Sequence, residues 1–182
     1  MAAVLFGVGA ATSALRAQNI QQEHIHMMQT LLPGSENFVL APYTGDDVNI
    51  RSVHKAENGF VVETCVYGYA GDITMMIGVN NDGRVTGLVV RDMQETLGLG
   101  RNALTDHVFL AQFLNISGNI SVASNADAVS FATSTDDAPA DVTVDAISGA
   151  TVTSKAIVRS VNSAVAVVTG ADTASSATTW GG

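Results

Sequence analysis

ITMMIGVNNDGRVTGLVV, residues 73–90, carries two apolar runs around one turn signal. Ile73, Met75, Ile77 and Val79 alternate with a period of two, and a second β-branched run extends from Val85 to Val90. Between them lies Asn80-Asn81-Asp82-Gly83, whose Asp-Gly step supplies the positive φ angles a tight turn needs. The stretch therefore reads as an antiparallel hairpin. Immediately upstream, Val62, Thr64 and Val66 alternate with Val61, Glu63, Cys65 and Tyr67, giving another strand that Gly68-Tyr69-Ala70-Gly71 breaks. Met75 and Met76 point to opposite strand faces and read as core and partial surface, and Cys65 reads as a small buried apolar residue.

Helical periodicity flanks these strands. Ile20, Met27, Met28 and Leu31 fall on one face of a helix that Pro33-Gly34 stops. Asp106 to Leu114 reads as a short helix with Val108, Leu110 and Phe113 as its apolar contacts. Residues 115–140 are rich in Ser, Asn, Asp and Ala and predict loops with one or two strands. The repeated Asn-Ile-Ser at 115–117 and 119–121 matches a glycosylation acceptor, but turn chemistry explains it better. The last strong element is a helix from about Thr151 to Thr169, with Ile157, Val161, Ala164, Val165 and Val168 on its buried face and Gly170 at the C-terminal cap. The fold class is α+β, an antiparallel sheet with flanking helices, preceded by an N-terminal anchor.

That anchor is read from Ala2–Leu15, an uncharged run stopped by Arg16. Its fourteen residues fall short of the roughly 20 that a bilayer core needs in a helix. A shortened or incomplete anchor, a signal-peptide core and a buried helix all suit such a run. No positive charge precedes Ala2, so the anchor is the preferred reading. The expected organisation is an anchor over 1–17, a membrane-proximal helix over 18–33, a globular domain over 34–170 and a flexible tail over 171–182, Trp180 included. With 47% apolar and 14% charged residues, the chain can bury a core. Net charge −9 without clustered basic and aromatic residues argues against a nucleic-acid partner. One cysteine excludes an internal disulfide or a cysteine-held cluster within the chain.

Chemistry concentrates at Asp145-Ala146-Ile147-Ser148-Gly149-Ala150-Thr151, which leads into the last helix. Small residues let a phosphate approach the backbone, while free N–H groups and the helix dipole favour an anion there. Ser148 and Thr151 add hydroxyls. From the residues alone, ordinary helix capping is the simpler account and phosphate binding the second. His24 and His26 are two apart on a helix and point to different faces, so they read as solvated surface rather than a metal pair. His54 and His107 stand alone, Asp136-Asp137 reads as a solvated loop, and no metal site or catalytic acid–base set is expected.

Asp145-x-x-Ser148-Gly149-Ala150-Thr151 resembles the flavinylation motif of the FMN-binding domain family. That family includes the G subunit of the Rnf complex and the C subunit of the Na+-pumping NADH:quinone reductase. Gln29-Thr30-Leu31-Leu32-Pro33-Gly34 resembles the end of the family's first helix. Gly68-Tyr69-Ala70-Gly71 with the hairpin resembles its glycine turn and central strands. Glu95-Thr96-Leu97-Gly98-Leu99-Gly100 resembles its Glu-Thr-Pro-Gly-Leu-Gly loop, with Leu97 in place of the usual proline. Phe109-Leu110-Ala111-Gln112-Phe113 resembles the helix that follows. The resemblance spans roughly residues 18–170.

The resemblance implies FMN esterified through its phosphate to Thr151 by a flavin transferase. Asp145, Ser148, Gly149 and Ala150 would lie about the attachment point, and Glu95, Thr96, Leu97, Gly98, Leu99 and Gly100 against the flavin. It also implies an electron-transfer subunit in a membrane-bound, ion-translocating oxidoreductase complex, anchored at the inner membrane with the FMN domain on the extracytoplasmic side. Glu95 has a second reading, as a cap for its own loop. Other functions that suit the chain are an anchored extracytoplasmic module holding a small anion reversibly, a free-standing flavoprotein of extracellular electron transfer, and a structural subunit with an unused motif.

Overall fold

The computed structural model describes residues 16, 19–95, 100–123 and 142–170. Five strands form one antiparallel sheet in sequence order, β1 (Val39–Ala41), β2 (Ile50–Ala56), β3 (Gly59–Tyr67), β4 (Asp72–Asn80) and β5 (Val85–Met93). β3 and β4 pair along their whole length, from Gly59↔Asn80 to Tyr67↔Asp72. At the β4–β5 turn, the Asn80 side chain accepts from the amides of Asp82 and Arg84. Only Gly83 takes a positive φ there (75°), whereas Asp82 does not. The Asn80 side chain bends the chain without the second left-handed residue that the Asp-Gly signal suggests.

Two helices cover opposite faces of this sheet. Alternation sends Val62, Val66, Met75, Ile77 and Val79 to one side, where they pack against Ile157, Val161, Ala164 and Val165 of α4 (Thr151–Thr169). α4 runs between the expected limits and ends at Gly170 in the left-handed conformation. The other face carries Val61 and Met76, which pack against Met28, Leu31 and Leu32 at the end of α1, a helix over residues 19–31. α1 comes so close to the sheet that a Cβ on Gly78 would strike the Leu31 carbonyl, and that carbonyl accepts a bond from the Thr86 hydroxyl.

This covered second face corrects one expectation. Met76 is as fully buried as Met75 and not part of the surface. Conversely, Ile20 and Val108, read as apolar contacts, are 65% and 79% exposed. The helix expected over 106–114 is shorter, α3 (His107–Ala111), because Asp106 is its cap and accepts from the amides of Val108 and Phe109.

Sequence periodicity gives no sign of β1 and β2, whereas one of the strands expected within residues 115–140 is present, in a small second sheet. In it β6 (Ile120–Ala123) pairs with β7 (Val142–Asp145) in parallel, so the antiparallel description holds for the main sheet alone. A short helix, α2 (Gly100–Thr105), precedes α3. Asn162 of α4 ties β6 to the body, accepting from the Ile120 amide at 3.0 Å and donating to its carbonyl at 2.9 Å. Among the described residues no helix is long and apolar enough to cross a membrane. The expected anchor core, the Asp136-Asp137 loop and the tail lie outside the described residues.

Candidate functional site

The motif forms a tight turn between β7 and α4. The Ala150 amide donates to the Ile147 carbonyl at 2.9 Å across Gly149, whose φ of 79° is left-handed. The Ser154 hydroxyl reaches back to accept from the Ile147 amide at 3.3 Å, and Ser154 itself is fully buried. Asp145 is held by its backbone. Its amide donates to the Gln112 side-chain carbonyl at 2.9 Å, and its own carbonyl faces the Gln112 amide nitrogen at 3.5 Å. The Asp145, Ser148 and Thr151 side chains stand exposed.

Helix α4 starts at Thr151 with Ala150 as its N-cap, so no side chain caps the first turn. Its leading N–H groups therefore lack the usual side-chain acceptor. The first turn also holds no acidic residue, and Lys155 is exposed one turn further on. The dipole's positive end thus meets solvent beside the free Thr151 hydroxyl, which corrects the capping account of the motif: Thr151 lies inside the helix, and the cap position offers only a methyl group.

Glu95 enters this site from the far end of β5. Its Oε1 accepts from the Tyr69 amide at 2.6 Å and from the Thr153 hydroxyl at 3.4 Å. One carboxylate thereby joins the glycine turn after β3 to the first turn of α4. Two glycines make room for it. A Cβ on Gly68 would collide with Oε1, and one on Gly100 would lie 2.5 Å from Oε2 and 3.0 Å from the Thr153 hydroxyl. The other oxygen, Oε2, is buried and has no hydrogen-bond partner among the described residues. A buried acceptor left without a donor beside an uncapped helix terminus fits a ligand that brings both donors and an anion. Thr96, Leu97, Gly98 and Leu99 lie outside the described residues.

Gln112, Thr153 and Ser154 carry no signal in the sequence that marks them as site residues, although Thr153 and Ser154 adjoin the motif. Gln112 acts across the β7 backbone, and no local pattern reports such a contact. Arg159, two helical turns beyond Thr151, donates to the Tyr67 carbonyl at 2.8 Å, and burial pulls its pKa below the ordinary guanidinium value. Among the described residues no cluster of three or more His, Cys, Asp or Glu could hold a metal. A cavity of about 490 Å³ lined by Leu32, Asn58, Arg84 and Leu114 lies at the β4–β5 turn, the opposite end of β4 from Glu95, and contains no residue of the Asp145–Thr151 motif.

Residues 68–166 match the family model of the FMN-binding domain. The chain is 31% identical over 158 residues to the G subunit of the proton-translocating ferredoxin:NAD(+) oxidoreductase complex of Clostridium ljungdahlii, covering 87% of this chain and 78% of that protein. It is also 31% identical over 151 residues to the G subunit of the ion-translocating oxidoreductase complex of Methanosarcina acetivorans, covering 76% of this chain and 71% of that one. A third relative, the G subunit of the Na(+)-translocating ferredoxin:NAD(+) oxidoreductase complex of Acetobacterium woodii, is 32% identical over 117 residues, 60% of this chain and 48% of its own. Among solved structures, the C subunit of the Na(+)-translocating NADH-quinone reductase from Parabacteroides distasonis superposes with a TM-score of 0.57. That comparison covers 85% of this chain and 96% of the other at 18% identity, a likeness of fold.

Proposed function

The chain belongs to the FMN-binding domain family, and on that premise we propose that it is the G-type electron-transfer subunit of an ion-translocating ferredoxin:NAD+ oxidoreductase complex. It carries one FMN, joined as a phosphoester to Thr151. The observation that carries this reading is the exposed Thr151 hydroxyl in a helix first turn with neither a side-chain cap nor an acidic residue. Such a terminus suits a phosphate held by backbone N–H groups.

FMN when bound supplies one- and two-electron chemistry. The chain's own residues position it. Thr151 offers the attachment oxygen, the amides after Ala150 face the phosphate, and Ser148 and Gly149 border the approach. Glu95 would present Oε2 to a donor on the cofactor, and the family resemblance assigns Thr96, Leu97, Gly98, Leu99 and Gly100 to the same cofactor. No residue is assigned a proton-transfer step of its own. Maturation needs a flavin transferase, and function needs the other subunits of the complex. In this reading residues 1–17 anchor the chain in the cell membrane, residues 34–170 form the FMN domain on the extracytoplasmic side, and residues 171–182 are a tail.

Mass spectrometry on protein isolated from its natural membrane tests the linkage. The peptide containing Thr151 should carry the mass of FMN less water, and an unmodified peptide would overturn the proposal. The uncapped helix terminus also suits a small anion held reversibly. Fluorescence in a denaturing gel separates the two, since only a covalent flavin survives there.

A further inference from the structure

On the face of the sheet opposite α4, the structure joins two histidines that read from the sequence as solvated surface and as a lone residue. His24 of α1 and His54 of β2 have ring centroids 5.6 Å apart, with planes inclined at 54°. Each ring has one nitrogen that is buried and, among the described residues, without a hydrogen-bond partner, Nε2 of His24 and Nδ1 of His54. The other His24 nitrogen, Nδ1, lies 3.3 Å from Nη1 of Arg91 on β5. A guanidinium only donates, so Nδ1 must be the acceptor and the His24 proton sits on Nε2. The pair therefore presents a buried N–H from the helix beside a buried nitrogen of the sheet.

We propose that His24 and His54 form a proton-operated latch that lets α1 stay docked on the sheet when His54 is neutral and releases it when His54 is protonated. With His54 neutral and its proton on the outer nitrogen, Nδ1 carries a lone pair, so the ring contact buries neither a second donor nor an added charge against the His24 N–H, although no hydrogen bond joins the two rings. Protonation turns Nδ1 into a second donor beside the first, with Arg91 behind His24 and no acceptor between them. The charged groups about His54 divide unevenly. From α1 comes His24, from β5 comes Arg91, and from β3 comes Glu63. β1 and β4 contribute no charge here. Glu63 would favour a protonated His54, but its oxygens are engaged, one 3.7 Å from Arg91 and the other accepting from the Ser52 hydroxyl at 3.1 Å.

The sign follows from linkage. Burial first and His24 second hold the His54 imidazole below its ordinary value of 6.5, with Glu63 opposing. The released state then binds the proton more readily than the docked state. Docking keeps its full strength above pH 6.5 and weakens as the pH falls through the docked value. The remaining hold on α1 is the apolar contact of Ile25, Met27, Met28, Leu31 and Leu32, strongest at its far end, where the Leu31 carbonyl also accepts from the Thr86 hydroxyl. Release would begin at the N-terminal half, freeing a helix about 20 Å long that links the domain to residues 1–15.

Amide hydrogen exchange on the full chain, corrected for intrinsic rates, tests the latch. Between about pH 7.5 and about pH 5.5 the peptide over residues 19–31 should gain severalfold in exchange relative to β4. His54→Leu should abolish that gain, and His26→Ala, on an exposed residue of the same helix, should keep it. A wild-type profile flat with pH, or a gain that persists in His54→Leu, overturns the proposal. Should His54→Leu leave α1 undocked at every pH, ring 15N shifts of the wild-type protein decide. Proton uptake at His54 in step with α1 release supports the latch, and a His54 ring that stays neutral through the release refutes it.

Discussion

Glu95→Gln separates a cofactor ligand from a structural staple. The glutamine carbonyl can keep the bonds that Oε1 accepts from the Tyr69 amide and the Thr153 hydroxyl. The change falls on Oε2, which is buried without a partner and becomes an NH2 group. In protein without flavin this removes a buried charged acceptor that bonds nothing, so the expected effect on stability lies within about 1 kcal/mol of zero and can be favourable. In flavin-loaded protein a cofactor donor aimed at Oε2 would meet another donor instead. The loss there should be about 1–3 kcal/mol, or roughly 2–12 °C in melting temperature at about 2–4 °C per kcal/mol. The assay is thermal unfolding of both forms, paired with the flavin's midpoint potential. Equal shifts in the two forms, with an unchanged potential, would refute the assignment of Oε2 to the cofactor and leave Glu95 a staple only.

Thr151→Ala should abolish flavin attachment, read by intact mass, while changing unfolding free energy by less than about 1 kcal/mol, because Thr151 is exposed and Ala150 is the N-cap. Unfolding of this variant at room temperature would make Thr151 primarily structural. Met76→Ala should cost about 2–5 kcal/mol in denaturant titration, the range for emptying a fully buried position under α1. A loss below about 1 kcal/mol would mean that α1 does not cover that face. Asn162→Leu leaves the Ile120 amide and carbonyl without their side-chain partner and should cost about 1–3 kcal/mol. Exchange protection should fall first at β6, and unchanged protection there would refute the tie.

The elements that can be read from the sequence are those whose signals are local. The β4–β5 hairpin announces itself by alternation and Asn-Asn-Asp-Gly, and α4 by its apolar stripe and Gly170. The resemblance to the FMN-binding domain family, carried by short motifs in the right order, is borne out by the match over residues 68–166. β2 is hidden because it lies next to the short margin strand β1, where only Val53 and Ala56 need to be buried and Arg51, His54 and Lys55 dilute the pattern. Met76 reads wrongly because a strand covered on one face and a strand covered on both differ only in the residues between the alternating ones. Val61 and Val62, adjacent and both fully buried, carry that clue.

The site is legible as a motif but not as an arrangement. Four segments meet there, the glycine turn at Tyr69, the end of β5 at Glu95, the C-terminal cap of α3 at Gln112 and the first turn of α4. Each contact is one or two polar bonds between residues 26 to 58 apart, at a spacing no periodicity reports. Apolar packing could not replace these bonds. Burial alone tolerates small slips of one element past another, whereas a carboxylate that must reach both Tyr69 and Thr153 has essentially one workable position. The α4 face therefore fixes the proposed attachment residue, with buried Ser160 bonded to Thr64 behind it and Ser154 beneath the turn. The α1 face is built differently, from methionine and leucine contacts at one end and an imperfectly satisfied histidine pair at the other. Methionine packing adapts to movement, and an unsatisfied polar pair costs free energy in the docked state. On the latch proposal, freedom to move belongs to the helix leading into the domain, while the residue proposed to carry the cofactor starts a helix tied to its neighbours by specific polar bonds.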